Sequence, residues 1–299
     1  MAQIRRISFK SDRAVELRTR ALRLVAVISR GPRIAFLGTP DGENLLYWNP
    51  GTHRRGKWDL MGGHRLWTAR PGADESEETY FADNEPCTVE LARDGFTITA
   101  PVESVSCLQR SVRIRATAAD RVVIEHSVRN TGSMLWSGGL WALTCTAPTE
   151  GSVYSAPLGD GTSWDYATVV AFRTWGGDQG ARRFDDPQFS FTSEQFVLRP
   201  SGQENKRMLK ADSGILAMHD PARGTLFAKH ASYVPTAAYP LGTNLAFYVG
   251  PKNFMVEMES MGPSATLKPG DTLRHTETWV LRPAGARPPS AAALRKLFK

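Results

Sequence analysis

Two glutamates, Glu257 and Glu259, stand two residues apart in the run F-M-V-E-M-E-S-M-G-P near the C-terminus. In a β-strand both carboxylates share one face, while Val256 and Met258 share the other. Paired acids on one face of an otherwise apolar strand suit a polar groove in which a carboxylate moves a proton. They suit a solvated outer face equally well. The turn L-K-P-G-D at 267–271 then reverses the chain into a further strand.

A second chemistry-bearing stretch is M-G-G-H-R-L-W-T-A-R-P at 61–71, read as a Gly-flanked loop. The face of Trp67 can stack on the C–H face of a sugar ring, while His64 and Arg65 donate hydrogen bonds to its hydroxyls. The plain alternative is a packed tryptophan with solvated neighbours. Lys229 and His230 end a strand, and Tyr239 and Asn244 follow, a set able to line the same groove. A satisfied, partly buried imidazole is the simpler reading of His230. His126 and His275 fall in alternating strands and read as structural, and His53 and His219 have little context.

These residues need strands to hold them, and strand signals dominate. The run S-V-R-I-R at 111–115 alternates apolar with charged, as in a strand with one wet face. Short strands separated by turn pairs, without helical periodicity between them, predict an all-β sandwich. A single domain is expected over 1–288, followed by a short basic helical tail at 289–299. Long loops are expected at 49–84, 151–165 and 176–186, and loops of this length are often functional.

The bulk numbers narrow the function. The chain has 299 residues, 41% of them hydrophobic, and a net charge of +7. Its Lys and Arg are scattered, and no zinc-finger, helix-turn-helix or RNA-binding pattern is present. General surface charge therefore fits better than a nucleic-acid partner, and attraction to acidic sugars is a quieter reading. The three cysteines lack metal-ligand spacing and leave an odd thiol, as in a reduced, cytoplasmic compartment. The charged start has no apolar stretch of a secretory leader, and no run approaches the ~18 apolar residues of a membrane span. Neither metal nor cofactor is expected: HExxH, EF-hand, P-loop, GxGxxG and GxSxG patterns are all missing.

Several short motifs carry a resemblance. E-S-M-G-P at 259–263 with L-x-P-G at 267–270, R-I-A-F-L at 33–37 and G-E-N-L-L at 42–46 resemble elements of the galactose mutarotase-like superfamily. G-G-H-R-L-W at 62–67 is similar to an element of a DUF4380-type branch of it. The resemblance implies a β-supersandwich, a small-molecule carbohydrate as partner, and the chemistry of an aldose 1-epimerase. In that chemistry a glutamate takes the proton of the anomeric hydroxyl and a histidine protonates the ring oxygen. By resemblance Glu259 matches the base, with Glu257 as the alternative. Arg33, Arg65, Trp67, Lys229, His230, Tyr239, Asn244 and Glu257 are then expected around the sugar. The family's acid lies in an N-x-T-x-H segment, and the corresponding residues 130–143 contain no histidine. His64, or failing that His230, is expected to replace it. Two other functions follow from the same resemblance: a sugar-binding or sensing module that lost the acid, and a relative of polysaccharide lyases and hydrolases.

Overall fold

Alternation in the sequence becomes pairing in space. Val112 and Ile114 turn inward, while Ser111, Arg113 and Arg115 point away from the core, and the same register links their strand to both neighbours. The structure, a computed structural model, describes residues 2–55, 58–70, 84–159, 166–172 and 184–299. Among these residues, two large antiparallel sheets pack face to face.

The first sheet runs, neighbour to neighbour, through Gln3–Phe9, Asp12–Arg18, Arg23–Val27, Arg33–Gly38, Gly63–Ala69, Trp136–Thr146, Val256–Met261, Leu245–Val249, Asn205–Lys210 and Thr168–Ala171. Ala265–Leu267 pairs with the start of Trp136–Thr146. The second runs through Phe189–Phe191, Gln195–Leu198, Val153–Pro157, Ile215–Asp220, Thr225–Ala231, Thr272–Pro283, Arg121–Asn130, Leu108–Ala118, Gly95–Val102 and Thr88–Leu91. Between them lies a core that includes Leu17, Leu24, Phe96, Ile114, Ile124, Phe227, Phe247, Met258 and Trp279. Each such side chain, fully buried, contributes about 1.5–3 kcal/mol. The chain is thus an all-β sandwich. No helix among the described residues is long and apolar enough to cross a membrane.

Several elements differ from the sequence reading, among them the strand Val153–Pro157, paired on both sides inside the stretch expected as a loop at 151–165. The stretch expected as a loop at 61–71 contains the strand Gly63–Ala69 in the middle of the first sheet. The glycines serve the turn before it: Met61, Gly62 and Gly63 have φ of 49°, 87° and 73°. A Cβ on Gly62 would lie 2.2 Å from the Tyr47 carbonyl oxygen, so only glycine fits there. Asn205–Lys210, with three basic residues among six, is also a strand. The tail forms a short helix, Ala291–Lys296, capped by Ser290. Its Ala291 is buried, and Leu294 packs on Ile215, Ala217 and Ala228 of the second sheet.

Candidate functional site

Three strands far apart in sequence lie side by side in the first sheet, and their register builds the site. Trp67, Trp141 and Met261 stand opposite one another; Arg65, Leu143 and Glu259 form the next row; Gly63, Cys145 and Glu257 the next. Strand Leu245–Val249 continues these rows with Ala246 beside Glu259 and Tyr248 beside Glu257, and Lys206 faces Tyr248 from the following strand. All of these side chains share the sheet's outer face, because paired residues point the same way.

They shape a groove of about 330 Å³, lined by His53, Leu60, Arg65, Trp67, Trp141, Leu143, Glu204, Lys206, Tyr248, Pro251, Phe254, Met255 and Glu257. Trp67 and Trp141 meet edge to face at 5.7 Å, and the Arg65 guanidinium carbon lies over the Trp67 ring at 3.8 Å. At the far wall the His53 ring stacks on Phe254 at 4.5 Å. Tyr248 donates its hydroxyl to Glu204 at 3.0 Å.

The two glutamates hold different positions. Glu257 lines the groove. Glu259, in the next row of the same face, is fully buried, and its Oε2 accepts from Lys206 Nζ and from Trp141 Nε1, each at 2.8 Å. Its Oε1 has no partner. Burial, and then the negative charge of Glu259, push the Glu257 carboxyl up to about 7, against the pull of Arg65 and Lys206. The Cys145 thiol behind Glu257 donates to its Oε1 at 3.3 Å, and burial followed by the Glu257 charge pushes that thiol well up.

His64 is not in this groove. Neighbours on a strand face opposite ways, so a chain that turns Arg65 and Trp67 outward must turn His64 inward. It lies between the sheets, 1% exposed, in a buried polar seam. Its Nδ1 is 2.9 Å from Thr144 Oγ1, its Nε2 is 2.8 Å from His126 Nε2, and its ring meets Trp279 edge-on. Lys229 is in the same seam, 2.7 Å from Glu277 Oε1, and donates to Thr144 Oγ1 at 3.0 Å. Ser260 donates to Glu277 Oε1 at 2.5 Å and pairs with His275 Nε2 at 2.7 Å. Trp279 Nε1 donates to Glu277 Oε2 at 2.9 Å.

Burial lowers all three imidazoles, opposed by Glu277: His126 to about 3, His275 to about 4, and His64 well below its usual value. Glu277 itself is held below the usual carboxylate range: burial would raise it, but Lys229 and the histidines outweigh that. His64, His126 and Glu277 each offer a ligand atom, all within 4.8 Å of one another. Yet the 2.8 Å between the two Nε2 atoms is a hydrogen-bond distance. Two ligands on a tetrahedral zinc, each about 2.0–2.1 Å from it, stand roughly 3.3 Å apart. An ion would have to part the rings and sit beside the Lys229 ammonium.

The other expected site residues lie elsewhere. His230 is half-buried on the outer side of the second sheet, against Phe298 of the tail at 5.3 Å, and burial lowers its pKa. Asn244 is a backbone pin: its side chain bonds the N–H and C=O of Ala211, each at 2.9 Å. Tyr239 stacks on Tyr233 at 5.1 Å, and its oxygen accepts from Val234 N. Arg33 is buried behind the groove, donating to the carbonyls of Leu60 and Gly62 and to Asn84. Of the expected residues, then, Arg65, Trp67 and Glu257 line the groove and Glu259 is buried in the row beside Glu257. His53, Trp141, Glu204, Lys206, Tyr248 and Phe254 line it without having been singled out. Only Trp141 carried a signal, its i, i+2 spacing with Leu143.

No protein-family model matches this chain, and no curated protein sequence does. Solved structures do. A TPR-domain containing protein from Parabacteroides distasonis superposes with a TM-score of 0.63 at 15% identity over 95% of this chain, which spans only 48% of that protein. A galactose mutarotase-like protein from Lactobacillus casei gives a TM-score of 0.61 at 12% identity, covering 94% of this chain and 100% of that one. A galactose mutarotase related enzyme from Lactobacillus acidophilus gives 0.59 at 9% identity, covering 93% and 100%. The chain has the galactose mutarotase-like fold.

Proposed function

We propose that this protein binds a pyranose-sized sugar in the outer-face groove and interconverts its anomers, with Glu257 as the proton-carrying carboxylate. The carrying observation is the placement of Glu257 in a groove walled by Trp67, Trp141 and Phe254. Aromatic walls suit the C–H faces of a sugar ring, while Lys206, Tyr248 and Glu204 offer polar contacts to hydroxyls. A group near 7 both takes and returns a proton at neutral pH, which mutarotation demands of its base. Glu259 is assigned a supporting part here rather than the base expected from the resemblance, because one of its oxygens is occupied by two donors.

The base removes the anomeric hydroxyl proton as the C1 carbonyl forms and the bond to the ring oxygen breaks. Rotation about C1–C2 and reclosure give the other anomer. Mutarotation followed by polarimetry over a panel of aldoses tests the reading. The unmutated protein should accelerate at least one sugar, and Glu257→Gln should slow it about 10²–10⁴-fold.

A second reading is a sugar-holding module without catalysis. It is favoured by the groove face of strand Trp136–Thr146, which offers Trp141, Leu143 and Cys145 but no imidazole. Saturable sugar binding by calorimetry with no acceleration of mutarotation would establish it in place of the first.

A further inference from the structure

A carboxylate that moves a proton in every cycle must present the same oxygen each time. We infer that Cys145 is the residue that positions Glu257 for this, its thiol tethering one carboxylate oxygen so that the other is presented to the groove; the effect on rate rests on the catalytic reading of the groove.

The placement follows from register. Cys145 and Glu257 stand directly opposite one another on adjacent strands. Side chains so paired have Cβ atoms about 4.5–5.5 Å apart, within reach of a thiol on one and a carboxylate on the other. On its other flank Cys145 faces Gly63, which has φ of 73° and brings no side chain to the row. A Cβ there would lie 2.4 Å from the Ile34 carbonyl oxygen, so that flank stays bare. The thiol is fully buried with Leu60 and Met255, and it donates to Glu257 Oε1 at 3.3 Å. Among the described residues this is the one hydrogen bond that the Glu257 carboxylate makes.

The neighbours that could compete are engaged with other partners. Lys206 donates to Glu259, Tyr248 to Glu204, and Arg65 Nη1 to the Leu60 carbonyl. Glu257 Oε2 is thus the oxygen left for a ligand. An untethered glutamate carboxylate turns through a broad, two-fold terminal torsion. Held at Oε1, it offers Oε2 in one orientation before a sugar arrives. The thiol keeps its own proton, because burial and then the Glu257 charge push it well above its ordinary range. A thiol is also a weak donor, so it fixes the carboxylate with little effect on its charge. Burial and Glu259 raise Glu257, and the thiol's downward pull is the smallest of the opposing influences.

The test titrates Glu257 by carboxyl-carbon NMR in the unmutated protein, Cys145→Ala, Cys145→Ser and, as a control outside the groove, His219→Gln. Arg65, Glu204, Lys206, Glu259, His53 and Tyr248 are the other charged or titratable groups around Glu257, and they are the same in all four proteins. Loss of the donor should raise the Glu257 midpoint above about 7 in Cys145→Ala, while Cys145→Ser, which keeps a donor, should titrate below the alanine variant. His219→Gln should match the unmutated protein. Rates are followed by polarimetry on whichever aldose the unmutated protein accelerates. There Cys145→Ala should lower kcat about tenfold with KM changed less than about threefold, and its pH limb should move with the NMR midpoint. Cys145→Ser should recover most of the lost rate. The infrared S–H stretch of Cys145, isolated by difference against Cys145→Ser, should move to lower frequency as Glu257 ionises and stay fixed in Glu257→Gln. This arm needs no alanine variant and stands if that variant does not fold.

A folded Cys145→Ala protein, checked by circular dichroism, with the Glu257 midpoint and pH limb of the unmutated protein would overturn the inference and leave the mutarotase reading standing. An S–H band that ignores the ionisation of Glu257 would overturn it as well. An unmutated protein that accelerates no sugar would overturn the mutarotase reading and the effect on rate, while the midpoints and the S–H band would still decide the tether.

Discussion

Lys206 Nζ lies 2.8 Å from Glu259 Oε2 and 4.6 Å above the Trp141 ring, so the more buried of the two glutamates is half of an ion pair. The charge that pushes Glu257 upward is therefore held in place by a lysine that pulls Glu257 downward. Burial raises the proton affinity of the groove first, and this pair of opposed charges tunes it further; each half can be removed separately.

Removing the negative half should lower the Glu257 value. Glu259→Gln deletes a like charge and leaves Lys206 and Arg65 opposing burial only, so Glu257 should fall below about 7. Lys206→Met should move it the other way. Carboxyl-carbon NMR titration reads both directions, and equal values in the two variants would refute the coupling.

Aromatic contact should matter for binding. Trp141→Ala should weaken sugar affinity by about 1 kcal/mol, roughly fivefold in Kd. Trp141→Phe should retain most of the affinity while removing one of the two donors to Glu259. Calorimetric titration of both variants against the same sugar checks the split.

The interior pair should show the asymmetry of buried charges. Lys229→Met leaves Glu277 charged among His64, His126 and His275, and Glu277→Leu leaves Lys229 uncompensated. Each alone should cost about 3–5 kcal/mol. The double variant should recover most of that loss. Urea unfolding of the three proteins measures it, and additive losses would contradict the pairing.

Stability should fall in acid, beginning near pH 6.5. His126 at about 3 and His275 at about 4 are depressed, so below pH 6.5 the unfolded chain binds protons that the folded chain refuses. Their contribution is complete above about 6.5 and is lost as pH falls through the folded values. Glu277, also depressed, adds a loss of the same sign below about 4.5. Glu257 acts oppositely: raised to about 7, it favours the folded state below about 4.5 and loses that contribution as pH rises toward 7. Two depressed imidazoles outweigh one raised carboxylate between pH 6.5 and about 4.5, and Glu277 joins them below that, so Tm should drop steadily from pH 6.5 to pH 4. A flat profile there would mean the seam is open to water.

Much of this was legible in the sequence, and the gaps have definite causes. Alternation along V-E-M-E places Glu257 and Glu259 on one face with Val256 and Met258 in the core, as two-residue periodicity requires. The same rule applied to H-R-L-W separates His64 from Arg65 and Trp67. Reading that run as a loop hid the separation, because paired glycines that serve a turn look like glycines that flank one. Lys206 was invisible for a different reason: N-K-R-M-L-K reads as a charged surface, and only pairing with Leu245–Val249 turns its lysine toward Glu259. His53 sits in the long loop expected at 49–84, and nothing local marks which loop residue faces the sheet.

The polar seam between the sheets has a consequence for shape. Greasy layers can shear past one another with little penalty, whereas directional bonds between Ser260 and Glu277, Thr144 and Lys229, and His64 and His126 join the two layers at fixed points. Ser260, Thr144 and His64 belong to the three strands whose opposite faces make the groove, so these bonds act as dowels that index its floor. A variant with the seam replaced by leucine and methionine could be harder to unfold and still bind sugar less sharply, its two layers no longer indexed to a single setting.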